Sequence, residues 1–206
     1  MEITICVSSH RDYAPVTLPR LIPQLLDSGI KKSDIFVTVS ECSQNQTKKF
    51  NDIELREVTH NSFEFTSMIE FMRRPQATSH MFLMHDTCEV GADFKNLINV
   101  GSNFEHVSVD PEGFTSMGLY ATSFLKEMTA FLYGLENLSK IRAMLVEKML
   151  KRMSISSTYN VALPDRQPAT DIYGDGILRV SQYYPQCDLT KHIGNYDSRA
   201  GTIFAP

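Results

Sequence analysis

The chain has 206 residues, 42% of them hydrophobic and 21% charged, with 20 Lys and Arg against 24 Asp and Glu. That balance describes a folded globular chain and excludes a disordered tail, a collagen-like repeat and a coiled coil. Residues 1–90 hold 9 basic and 12 acidic side chains and residues 91–206 hold 11 and 12, so no basic region hides in the total and nucleic acid is disfavoured as a partner.

Ile3 to Val7 is an unbroken apolar run, as in a strand buried on both faces, and it ends at Ser8-Ser9-His10-Arg11. A helix is expected from about Leu18 to Leu26, with Thr17 as its cap, Pro19 in its first turn, a kink at Pro23 and a stop near Gly29. Ile35 to Val39 is the second expected strand and ends at Ser40-Glu41-Cys42-Ser43, and Ile53 to Val58 is the third. Phe63 to Met72 has helical spacing, with Phe65, Met68, Ile69 and Met72 on one face. His80 to Met84 is a fourth strand, ending at His85-Asp86-Thr87. Beyond it, His106 to Val109 and Met117 to Ala121 are expected as short strands, and Ser123 as the cap of a helix to about Tyr133. Ser139 is expected to cap a helix over Lys140 to Met153. Residues 154–176 read as loop, Ile177 to Tyr183 as a late strand and the tail as irregular.

Alternation of strand and helix predicts an α/β fold, a mostly parallel or mixed central sheet flanked by helices in a single domain over 1–206. In such sheets ligands bind beyond the carboxyl ends of the strands. Three strand ends converge there with polar residues, Ser8 to Arg11, Ser40 to Ser43 and His85 to Glu89. No apolar run reaches the roughly 20 residues that span a bilayer. The N-terminus lacks a basic and then apolar leader, so a cytoplasmic location is expected. Cys6, Cys42, Cys88 and Cys187 lie far apart without a CxxC, and read as reduced thiols.

Several chemistries are disfavoured. The first strand is followed by Ser8-Ser9-His10-Arg11-Asp12 with no glycine, and no GxGxxG, GxxxxGK[ST] or GxSxG occurs in the chain. Nicotinamide dehydrogenases, P-loop NTPases and ordinary α/β-hydrolases therefore lose ground.

What remains is a polar-tipped α/β sheet with an acidic turn after its fourth strand, and here the sequence resembles the GT-A glycosyltransferases. ITICVSSHRD resembles their opening strand and IFVTVSECS their second, with THNSFEFTSMIEFM beside the donor and HMFLMHDTCEVGADF on the DxD-bearing strand. Only Asp86 is a firm acid of that motif, since Met84 and Cys88 stand where a second one belongs.

The resemblance implies transfer of a sugar from a nucleotide sugar, a UDP-sugar by preference, to a glycan or protein acceptor. Residues 1–95 would form the donor half and 96–206 the acceptor half. It implies Ser9, His10, Arg11, Glu41, Thr66, His85 and Asp86 at the donor. Asp86 and His192 would hold Mn2+ or Mg2+, and Asp171 or Asp175 would serve as the base. Further domains of a longer polypeptide are compatible with this, and modules of capsid-glycosylating enzymes of large algal viruses are similar in kind. The alternatives are a non-catalytic nucleotide-sugar-binding module and a sugar nucleotidyltransferase. The latter usually opens with a glycine-rich loop, which Ser8 to Val16 lacks.

Each residue also has a structural reading. Asp86 can cap the turn after its strand, Glu41 can be a solvated loop acid, and Asp171 and Asp175 can be turn residues.

Overall fold

The computed structural model describes residues 2–75, 77–95, 106–109, 117–153, 165–170, 179–185, 187–194, 196–197 and 202–203. The first half runs β1 (Ile3–His10), α1 (Ala14–Asp27), β2 (Ile35–Ser40), β3 (Gln46–Phe50), β4 (Ile53–Glu57), α2 (Phe65–Met72), β5 (His80–His85) and β6 (Cys88–Val90). The second half runs β7 (His106–Ser108), β8 (Gly118–Ala121), α3 (Thr122–Glu127), α4 (Thr129–Tyr133), α5 (Lys140–Met153), β9 (Asp165–Thr170), β10 (Arg179–Tyr184), β11 (Leu189–Gly194), β12 (Tyr196–Asp197) and β13 (Thr202–Ile203).

The main sheet has seven strands in the order β3-β4-β2-β1-β5-β8-β7. β4, β2, β1 and β5 are parallel, while β3 and β8 pair antiparallel with their neighbours. The α/β expectation, a mixed sheet flanked by helices, holds. Alternation along the strands divides the core in two. Ile5, Val7, Val37, Val39, Phe82 and Met84 pack toward α1, and Cys6, Phe36, Met81 and Leu83 pack toward α2 and the later helices. Strands buried on both faces explain the unbroken apolar runs in the sequence.

α1 begins three residues before the expected cap. Tyr13 is the residue before it, and Thr17 lies inside the helix. Pro15, Pro19 and Pro23 repeat every fourth residue and all three are exposed. The carbonyls that lose a partner to each ring therefore face water, where their cost is small. The helix stops as expected: Gly29 takes a φ of +87°, the Gly29 N–H donates to the Leu26 carbonyl (2.9 Å) and the Ile30 N–H to that of Leu25 (3.1 Å). This is a Schellman closure, which needs a left-handed residue where glycine stands.

A second sheet, β6-β11-β10-β9, is antiparallel throughout. The expected late strand is present as β10, and two expectations are corrected, because residues 165–170 of the expected loop form β9 and the tail expected to be irregular supplies β11. β9 holds Pro168 at the sheet's edge, where a missing N–H is tolerated. Its sequence, Asp-Arg-Gln-Pro-Ala-Thr, has no apolar alternation to announce it. β3 was likewise unexpected: Thr47, Lys48 and Lys49 are exposed on an outer strand, a composition that discourages edge-to-edge pairing. The helix expected to start at Ser123 starts at Thr122 and divides at Met128 into α3 and α4. α5 matches its expected span, and the Ser139 hydroxyl accepts the Arg142 N–H at 3.4 Å. Among the described residues no helix is long and apolar enough to cross a membrane.

Candidate ligand site at the strand tips

The parallel strands deliver their carboxyl ends to one edge of the sheet. Register pairs Ser9 with Val39, His10 with Ser40 and Ser8 with His85, so the three polar tips lie side by side. Two groups form there, one open and one buried.

The open group centres on Glu41. Its carboxylate accepts the Asn61 amide on Oε1 (2.8 Å) and lies 3.0 Å from His10 Nε2 on Oε2. The Asp12 N–H donates to His10 Nδ1 (3.2 Å), so Nδ1 is bare and Nε2 carries the proton that goes to Glu41. The Arg11 guanidinium donates to the Glu41 carbonyl (3.0 Å) and to Asp12 Oδ1 (3.2 Å) while staying largely exposed. The Asn61 and His10 hydrogen bonds hold the Glu41 carboxyl below the ordinary carboxylate range against a smaller opposing effect of burial. Glu41 also takes a φ of +58°. A non-glycine residue in that region costs roughly 1 kcal/mol, and such residues persist where their surroundings fix them. Here the Glu41 N–H to the His60 carbonyl (3.4 Å) and the Cys42 N–H to the Val58 carbonyl (2.9 Å) do so.

The buried group centres on Asp86. Its Oδ2 accepts the Ser9 hydroxyl at 2.6 Å and the Thr17 hydroxyl at 2.6 Å, and its N–H donates to the Ser8 carbonyl (3.0 Å). One carboxylate oxygen thus ties β5 to β1 and α1. Burial pushes the Asp86 carboxyl above its usual range, and the two hydroxyls oppose that.

His192 belongs to a third group, on the second sheet. It is buried, with Nδ1 2.8 Å from the Ser181 hydroxyl and Nε2 3.2 Å from Glu89 Oε2. The other Glu89 oxygen pairs with Arg20 of α1. The His192 N–H donates to the Thr87 carbonyl (3.1 Å), which brings its backbone within one residue of Asp86 in sequence. Asp86 Oδ2 is engaged by two hydroxyls, and His192 by Ser181 and Glu89. Among the described residues no three His, Cys, Asp or Glu side chains are grouped to hold a metal ion. Asp86 and His192 thus have different partners, one in the main sheet and α1 and the other in the second sheet.

The other expected residues fall as follows. His85 is half-buried at the tip of β5. Thr66 is fully buried in α2, and its hydroxyl accepts the Ser62 N–H (2.9 Å), which fixes the turn into that helix and leaves no surface for a ligand. Asp171 and Asp175 lie outside the described residues. Asn61 was missed, although Thr59-His60-Asn61 is a fourth polar strand tip and carried the same signal as the other three.

Beneath the open group, Glu70 of α2 is buried and accepts from Arg56 Nε (3.1 Å), His60 Nε2 (3.1 Å) and Arg73 Nη1 (2.6 Å). Arg73 continues to Glu136. These partners outweigh burial and bring the Glu70 carboxyl down to about 2. The network anchors the segment that carries His60 and Asn61 against Glu41.

No protein-family profile matches the chain, and no curated protein matches it. Among solved structures it is similar to S. aureus TarS, residues 1–349, with 14% identity and a TM-score of 0.44. That similarity covers 62% of this chain and 49% of the TarS chain, so the chain spans about half the length of what it matches.

Proposed function

We propose that the strand-tip edge is the donor site of a GT-A-like glycosyltransferase that takes a nucleotide sugar, a UDP-sugar by preference, and passes the sugar to a glycan or protein acceptor. The observation that carries this reading is the open group of His10, Arg11, Glu41 and Asn61 at the carboxyl ends of parallel strands. An ionised, half-exposed carboxylate there suits the hydroxyls of a ribose or the N–H groups of a base. The neighbouring guanidinium, always charged and forked, suits a diphosphate. His10 and Asn61 act as positioning residues that keep the carboxylate ionised and aimed.

On transfer the bond between the anomeric carbon and the diphosphate oxygen breaks, and a bond to an acceptor hydroxyl oxygen forms. Arg11 offsets the charge left on the diphosphate. The acceptor proton passes to a carboxylate of the later half, for which the sequence offers Asp171 and Asp175.

A second reading is favoured by one observation, the internal use of Asp86 and His192. A protein that binds a nucleotide sugar without reacting it would have the same open group and no exposed cation ligands. Calorimetric titration with UDP, UDP-sugars and GDP-sugars, each with and without manganese, tests both. Binding of a nucleotide sugar that weakens tenfold or more in Glu41→Gln supports the site. Slow hydrolysis of the bound donor favours the transferase over the binding module. Binding of NAD or S-adenosylmethionine with no response to any nucleotide sugar refutes both.

A further inference from the structure

Among the described residues, α5 is the one place where several large apolar side chains face solvent together. Ile141 is 73% exposed, Leu145 60% and Met144 44%, while Ala143 is fully buried and Val146 packs against the core formed with α2, α3 and α4. The helix therefore has an inner row that holds it to the body and an outer row that nothing in the described structure covers. Helical spacing puts positions 148 and 152, a Lys and an Arg, in the row of Ile141 and Leu145, at steps of seven and eleven from Ile141.

Charge separates this helix from the rest of the molecule. Residues 140–153 carry five basic side chains and one acidic, Glu147, whereas the other 192 residues carry 15 basic and 23 acidic. A net-negative body with one apolar and positive helix favours approach to an anionic surface through that helix.

We propose that α5 docks the protein, lying flat, on an anionic phospholipid membrane surface. At fourteen residues the helix is about 21 Å long, too short and too charged to span a bilayer and suited to the plane of its interface. Ile141, Met144 and Leu145 enter the headgroup boundary, and the basic residues of the helix meet lipid phosphates. A second copy of this chain is the weaker occupant. Pairing α5 with itself sets five basic residues against five, whereas an anionic lipid surface is complementary to them. This inference rests on α5 alone and stands or falls separately from the donor site.

The test is sedimentation of the full chain with vesicles of phosphatidylcholine alone and of phosphatidylcholine with phosphatidylserine. The expected result is binding to the anionic vesicles only, falling as salt is raised. Each basic residue near such a surface contributes roughly fivefold to the affinity, so Lys148→Gln with Lys151→Gln weakens binding on the order of 25-fold. Ile141→Ser with Leu145→Ser also weakens it tenfold or more. Circular dichroism checks that each variant keeps the parent's fold. Absence of binding to anionic vesicles at low salt overturns the proposal, as does binding that either pair leaves unchanged. Concentration-dependent dimers abolished by the serine pair, without vesicle binding, assign the face to a second copy and overturn it as well.

Discussion

Replacing Glu70 by Gln probes the polar network that supports the strand tips. The carboxylate is only 1% exposed and receives Arg56, His60 and Arg73, which bring its pKa from 4.5 to about 2. A depression of that size corresponds to about 3 kcal/mol of stability. Because the folded pKa lies below the unfolded one, the unfolded chain binds more protons between them. The contribution is therefore complete above about pH 5 and is lost as pH falls through 4.5 toward 2. Gln keeps the shape, removes the charge and brings an amide N–H among Arg56 and Arg73, which can only donate. Urea denaturation of parent and Glu70→Gln across that range is the assay. The two should differ by about 3 kcal/mol at neutral pH and converge near pH 2. Taking the difference cancels the other carboxylates. A gap that stays constant with pH would refute the assignment of this energy to the Glu70 charge.

Three further perturbations follow from the same geometry. A Cβ at Gly91 would overlap the Asp188 carboxylate, which is held by the Asp93 N–H (3.0 Å) and the Tyr183 hydroxyl (3.1 Å). Gly91→Ala should therefore cost about 1–3 kcal/mol in urea melts, and adding Asp188→Ala should recover part of it. For Asp86, burial raises the folded pKa above the unfolded value, so its contribution favours folding at low pH and declines as pH rises through the window between them. Asp86→Asn keeps an acceptor for Ser9 and Thr17 and should flatten that decline in thermal melts; an unchanged slope would remove Asp86 as its source. Glu41→Gly relieves the left-handed backbone while losing two half-exposed hydrogen bonds, effects of about 1 kcal/mol each way. Stability should change by less than about 1 kcal/mol while nucleotide affinity falls tenfold or more, and equal losses in both would make Glu41 merely structural.

The sequence made the main sheet legible because β1, β2 and β5 are buried on both faces and so read as unbroken apolar runs. The stop of α1 was legible because Gly29 is required by its closure. The second sheet was not. β9 and β11 are polar strands without apolar alternation, and β11 has its second partner, β6, about a hundred residues back in the chain, so neither leaves a periodic trace. At the site, the convergence of Ser9, His10, Arg11, Glu41 and Asp86 on one edge followed from strand order alone. How the polar atoms divide did not. The resemblance of the fourth strand to a DxD-bearing strand implied Asp86 as a cation ligand, yet its hydroxyl partners come from β1 and from the interior of α1. Placing Thr17 at the start of that helix hid one of them. His192 finds its neighbours through β10, the expected late strand, and through β11 and β6, which were not expected.

The pairing of β6 with β11 joins Val90 to Leu189, 99 residues apart. As the chain is made from its N-terminus, β1, β2, β4 and β5, with Ser9, Thr17, Glu41, Asn61 and Asp86, are available long before β11 exists. The open and buried groups can therefore close early, whereas the Arg20–Glu89–His192 link waits for nearly the whole chain. Loop closure over such a span adds only slowly to the entropic cost but makes the pairing slow to find. Truncation before residue 189 should thus leave Cys88–Val90 as a bare edge with Glu89 short of one partner. In time as in space, the second sheet is a late fastening on a first sheet whose ligand edge is already drawn.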